Sequence, residues 1–318
     1  VPVEQLSDTL VASTRAMASA ITIKVPCKVS VGASTEELMG RALDVFGEVD
    51  VACTRFNPSS PLMRANATPT RWRRVPPRLF DALREAHAAY LRTGGIFDPR
   101  VVGDLVALGY DSSMRFDRDD IQLESRGDVS PRATLWQPRF RARVSGVWLG
   151  EAIELGGIGK GLAVRWASDV LNTQLRDFLV EAGGDCYVAG RAPDGDSWRV
   201  GVEDPFGAAT PIAVIALSDQ AVATSSTRLR HWRIAGEDVH HLIDPRTGRS
   251  GGDGLVATTV VGPDPAAAEV DAKVLFLAGK NGVARAAADR GLASLWCDDE
   301  GRVGISDAMR PLVRWERS

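Results

Sequence analysis

Cysteine is scarce in this chain. The four present, Cys27, Cys53, Cys186 and Cys297, stand far apart, form no Cys-x-x-Cys pair and have none of the four histidines at zinc-ligand spacing. That argues against a disulfide framework and a zinc ribbon, and the thiols read as reduced packing residues. Long apolar runs are also missing: no stretch approaches the ~18 uncharged residues that a membrane-spanning helix needs. Nor is there an excess of one charge. The 38 Lys+Arg face 41 Asp+Glu, giving a formal net charge of −3 and no global field for nucleic acid. Residues 1–6, Val-Pro-Val-Glu-Gln-Leu, lack the basic and apolar regions of an export signal, so a cytoplasmic location is the expectation.

What remains is an ordinary globular composition, 44% apolar and 25% charged over 318 residues, long enough to bury a large core as one domain or as two lobes. Ser19 to Val25 alternates branched apolar residues and reads as a strand. Ser34 with the acidic pair Glu36-Glu37 reads as an N-cap, and Leu38, Ala42, Leu43 and Phe46 then recur at helical spacing. Residues 53–66 read as a Pro/Ser/Asn-rich loop, and a helix is expected from Pro77 to Arg92, ending at Thr93-Gly94-Gly95. Residues 115–146 read as exposed strands and turns. Helices over 162–171 and 266–278 mix with strands over 178–180, 198–202, 213–217 and 257–261. Without a regular strand-helix repeat, an α+β fold is favoured over a doubly wound sheet.

Four places could carry chemistry. The glycines from Gly156 to Gly161 lead into a helix, whose unpaired N–H groups and positive dipole end can receive a phosphate beside Lys160. The spacing is one residue short of Gly-x-Gly-x-x-Gly and does not fit a Walker loop, and glycines that permit close helix packing are the alternative. Asp185 follows Gly183-Gly184 at a strand-to-turn junction and reads first as an Asx-turn residue. His240 and His241 precede an Asp244-Pro245 turn; on a strand they face opposite ways, so one at most reaches a site as a general base. Glu269 and Lys273 share a helix face, where a surface ion pair is the plain reading.

Taken together, the segments resemble the ApbE family of FAD:protein FMN transferases. The resemblance runs through Arg15-Ala16-Met17, Arg55-Phe56-Asn57-Pro58-Ser59-Ser60 with Asn66, and Gly94-Gly95-Ile96-Phe97-Asp98. It continues through Glu154 to Gly161, Ala182-Gly183-Gly184-Asp185, Trp198 to Pro205, Ala221 to Ser225 and His241 to Gly248. It implies a single catalytic domain over 1–318, with mixed sheets and helices in an N-terminal lobe of about 1–150 and a C-terminal lobe of about 151–318 around an FAD cleft. It also implies transfer of FMN from FAD to a Thr or Ser hydroxyl of a partner flavoprotein, with release of AMP. By position, Met17, Phe56, Phe97, Asp98, Glu154, Lys160, Gly161 and His241 become FAD contacts, with Lys160 on the phosphates and His241 the base for the acceptor hydroxyl.

The family's Mg²⁺ would fall to the Gly157 carbonyl and to two helix positions four residues apart. Those positions hold Glu269 and Lys273 here, with Asp271 a further candidate ligand. A +1 ammonium ~4 Å from a +2 ion is repelled by roughly 8 kcal/mol at an effective dielectric of ~20. Two arrangements follow. Either Lys273 replaces the metal, placing its ammonium on the diphosphate and pairing with Glu269, or it turns outward while Glu269 and Asp271 hold Mg²⁺. The same departure keeps a second function class open: an FAD-binding protein, or a pyrophosphatase cutting FAD to FMN and AMP without protein transfer.

Overall fold

A computed structural model of the chain describes residues 3–6, 8–27, 33–113, 121–125, 127–129 and 134–317. Among them are seven α-helices: α1 (Ala33–Cys53), α2 (Pro61–Asn66), α3 (Pro77–Arg92), α4 (Val102–Ala107), α5 (Gly159–Asn172), α6 (Pro265–Phe276) and α7 (Gly279–Arg290). The helical spacing expected around Leu38, Ala42, Leu43 and Phe46 is the buried face of α1, and α3 runs between the bounds expected for it. Burying side chains of this kind contributes about 1.5–3 kcal/mol for each large one.

Three expectations shift. Ser34 lies inside α1, whose first residue is Ala33, rather than capping it. The second half of the 53–66 loop is α2, because Ser60 accepts the Met63 N–H and Pro61 takes the first-turn position that needs no donor. Helix α5 begins at Gly159, so Lys160 stands in its first turn. Within the expected 115–146 stretch, residues 115–120, 126 and 130–133 lie outside the described residues; Arg139–Arg141 and Gly146–Trp148 are strands that pair with each other.

The architecture is α+β in three layers. In the middle is a nine-stranded antiparallel sheet, in the spatial order Val3–Leu6, Thr9–Ala16, Ser19–Pro26, Phe178–Ala182, Asp185–Ala189, Gln220–Ser226, Leu255–Gly262, Ala293–Asp298 and Val303–Ile305. Its first three strands precede residue 150 and pair with the later ones through Ile21 opposite Ala182, so the boundary between the expected lobes runs inside one sheet.

Strand alternation sorts its side chains. Ala221 and Ala223 pack with Ala268, Ala272 and Phe276 of α6, while Val222, with Cys186 and Val188, packs against a three-stranded sheet carrying Trp198, Ile215 and Leu217. All four cysteines are free, and burial pushes the Cys53 and Cys186 thiols up to about 12. Among the described residues no helix is long and apolar enough to cross a membrane.

Candidate active site at the meeting of two helix N-termini

The glycine segment is held before it is used. Asn66 clamps its entry, accepting from the Ile153 N–H at 3.0 Å and donating to the Ile153 carbonyl at 2.7 Å. Glu154 turns its carboxylate back onto the Gly156 N–H at 2.7 Å. The four glycines then do different things. A Cβ on Gly161 would stand 2.5 Å from the Pro265 carbonyl, so Gly161 lets α5 and α6 approach backbone to backbone, as the packing alternative held. A Cβ on Gly157 would collide with the Lys273 ammonium, and one on Gly159 would meet Met17 Cε at 3.4 Å. One on Gly156 would press on Glu154 Oε2 at 2.6 Å.

The close approach builds a buried charge cluster. Helix α5 begins without a side-chain cap, and the Gly161 N–H in its first turn donates to Glu269 Oε2 at 2.7 Å. Asp185, on the helix-facing side of its strand, ion-pairs with Lys160 and also accepts from the Thr224 N–H at 3.1 Å. It is therefore a buried partner of Lys160 and not the Asx-turn residue expected from its flanking glycines. Glu269 Oε1 lies 3.5 Å from the same Lys160 Nζ. Burial opposes the Lys160 charge, yet Asp185 and Glu269 together hold its pKa above the usual lysine value. Burial and the neighbouring Asp185 raise Glu269, against the pull of Lys160.

Lys273 is placed differently. Its Nζ lies in the space that Gly157 leaves open, 6.0 Å from the centroid of the buried Phe97 ring. Among the described residues no carboxylate comes within ion-pair distance of it, so the surface ion pair with Glu269 is not formed; Glu269 bonds Lys160 instead. His241 faces the same region, with Nδ1 3.3 Å from the Arg230 carbonyl. Burial, then the positive charges of Arg230 and Lys273, push its pKa well below the ordinary histidine value, leaving a neutral imidazole. His240 points elsewhere, edge-on to Phe276 at 5.7 Å, so His241 is the histidine of the pair that neighbours Lys273.

Met17 sits at the tip of a hairpin whose two turn residues, Met17 and Ala18, both have positive φ, 53° and 58°, without being glycine. Asp50 holds this strained turn by accepting the Met17 N–H at 3.0 Å. Phe56 packs on Tyr110, and the Arg55 guanidinium lies over both rings at 4.2 and 4.3 Å. One Arg55 Nη is buried without a hydrogen-bond partner among the described residues. Asp98 is committed: its two oxygens accept from the Arg100 backbone and guanidinium at 2.7 to 3.2 Å.

A divalent cation fits these groups poorly. Glu269 spends both oxygens on Lys160 and the Gly161 N–H, and the position four residues later is an ammonium set against Gly157. Asp271 is directed to Arg92 at 2.6 Å, not toward Glu269. Among the described residues, the acidic group with metal-binding spacing is Asp298, Asp299 and Glu300, at a turn already crossed by Lys280 and Arg302. Sequence reasoning missed Asp50 and the weight of Asp185 and Arg230. No local pattern marks them, because each acts across a long chain separation.

Comparison with known proteins bears on this site. The ApbE family profile matches residues 17–296. An FAD:protein FMN transferase of Rhodobacter capsulatus is 30% identical over 245 residues, covering 74% of this chain and 45% of that protein. The chain thus spans less than half of that relative's length. One from Chlamydia pneumoniae is 27% identical over 78% of each chain. The crystal structure of the ApbE protein from Thermotoga maritima superposes with a TM-score of 0.79 at 23% identity, over 98% of this chain and 100% of that one. The flavin transferase ApbE from Vibrio cholerae gives 0.75 at 22%, with the same coverage.

Proposed function

The chain belongs to the ApbE family, and on that premise we propose that it is an FAD:protein FMN transferase, moving FMN from FAD to a Thr or Ser hydroxyl of a partner flavoprotein and releasing AMP. The observation that carries this reading is the convergence of the first turn of α5, the unpaired Lys273 ammonium and the neutral His241 imidazole on one glycine-lined turn. Phosphoryl transfer asks a protein mainly to position the nucleophile and to neutralise oxygens, and these groups are suited to both.

The acceptor oxygen attacks the FMN-side phosphorus as the phosphoanhydride bond to AMP breaks, its electron pair leaving on the AMP phosphate. The hydroxyl proton passes to the imidazole of His241. Lys160, fixed between Asp185 and Glu269, holds the first turn of α5 in place beside the diphosphate. Met17 and Phe56 offer apolar surface to the ring systems of FAD, with the buried Phe97 ring behind Lys273. Glu154 shapes the turn through Gly156, and Asp98 fixes the segment after Phe97 through Arg100.

The test is mass spectrometry of an acceptor incubated with protein and FAD. A mass increase equal to FMN on a hydroxyl residue, with AMP released in equal amount, is the expected result. Free FMN beside unmodified acceptor would instead identify a pyrophosphatase.

A further inference from the structure

Lys273 holds its ammonium in the glycine turn where a divalent ion would have to stand. We propose that this ammonium is the protein's own counter-charge for the FAD diphosphate, and that the chain works without a divalent metal. The inference rests on the transferase reading and adds to it which group neutralises the phosphates.

Three observations carry it. First, Gly157 lacks the Cβ that would expel Lys273 Nζ, and Phe97 backs the ammonium from one side, so the lysine occupies a seat shaped for it. Second, the Lys160 charge is already balanced by Asp185 and Glu269, whereas Lys273 has no carboxylate within ion-pair distance among the described residues. Lys273 is therefore free, among the described residues, to meet the two negative charges of a diphosphate. Third, the donors a metal would need are spent: Glu269 is bonded to Lys160 and the Gly161 N–H, and Asp271 to Arg92. A +2 ion would also meet the repulsion of Lys273. In the reaction the P–O bond to AMP breaks as the acceptor oxygen bonds to the FMN-side phosphorus, and the Lys273 ammonium holds the non-bridging oxygens; no electron transfer is involved.

The test compares wild-type protein with Lys273→Thr and Lys273→Met. Wild-type AMP release is expected to be the same in excess EDTA as in Mg²⁺, and the spectrum of free Mn²⁺, followed by electron paramagnetic resonance, is expected to show no ion captured by the protein. Lys273→Met should bind FAD about tenfold or more weakly in EDTA, with riboflavin, which has no phosphate, bound as before. Lys273→Thr, which removes the ammonium and leaves an oxygen donor, should lose AMP release in EDTA and recover part of it with Mg²⁺. Wild-type AMP release that vanishes in EDTA and returns with Mg²⁺, or stoichiometric Mn²⁺ binding by the wild type, would overturn the proposal. If the wild type releases no AMP under either condition, the transferase reading fails alone. The Mn²⁺ spectra and the contrast between FAD and riboflavin still decide the role of Lys273.

Discussion

Among the described residues lysine meets carboxylates at two clusters, and the two meetings have opposite characters. Lys160, Asp185 and Glu269 form a nearly dry cluster where α5 and α6 start, with the carboxylates 1% and 7% exposed. Lys280 meets Asp298, Asp299 and Glu300 at a surface turn, where Asp299 and Glu300 reach into water and Arg302 joins them. The same residue types are thus used once as an internal frame for a ligand turn and once as a solvated face. Water can replace Asp299 and Glu300 in the second cluster, and its one buried carboxylate, Asp298, keeps Arg302 if Lys280 is lost, whereas the carboxylates of the first cluster have Lys160 as their shared cation.

The predictions probe that contrast, from the largest effect downward. Lys160→Met leaves two carboxylates buried without their cation, and chemical denaturation should show a loss of about 3–5 kcal/mol. A loss equal to that of Lys280→Met would break the comparison. Acid should act next, through His240. Burial lowers its pKa to about 4, so between the ordinary histidine value and that point the unfolded chain binds a proton that the folded protein refuses. Stability is complete above pH ~6.5 and falls as pH drops toward ~4, by about 3 kcal/mol for this residue, readable from unfolding midpoints against pH.

Gly161→Ala forces a Cβ onto the Pro265 carbonyl and should cost about 1–3 kcal/mol, because the obstacle is backbone. Gly157→Ala meets the flexible end of Lys273 instead. Its melting temperature should change little while FAD affinity, measured by flavin fluorescence, falls about tenfold as the ammonium is displaced. Lys280→Met should leave the melting temperature where it was.

The contrast also explains what the sequence could and could not disclose. Helix α3 was legible to its ends because its signals are local: Pro77 at the start and Thr93-Gly94-Gly95 at the stop. The glycine turn was legible for the same reason. The partners of Lys160 were not, since Asp185 arrives from a strand and Glu269 from a helix 108 residues after Gly161, the residue whose N–H it accepts. Glu269 and Lys273, four apart on α6, looked like partners of each other by local spacing; the tertiary approach of α5 gave Glu269 a better cation and left Lys273 unpaired. The strand over Asp185–Ala189 escaped notice because its side chains are buried on both faces of a covered sheet, which leaves little alternation to read.

The most direct test is diffraction from crystals of this protein grown with FAD. The diphosphate should lie within hydrogen-bonding distance of Lys273 Nζ, against the glycine turn from Gly156 to Gly161, with no divalent ion bound to it. A diphosphate found away from that turn, or one reached only through a bound metal, would contradict the account.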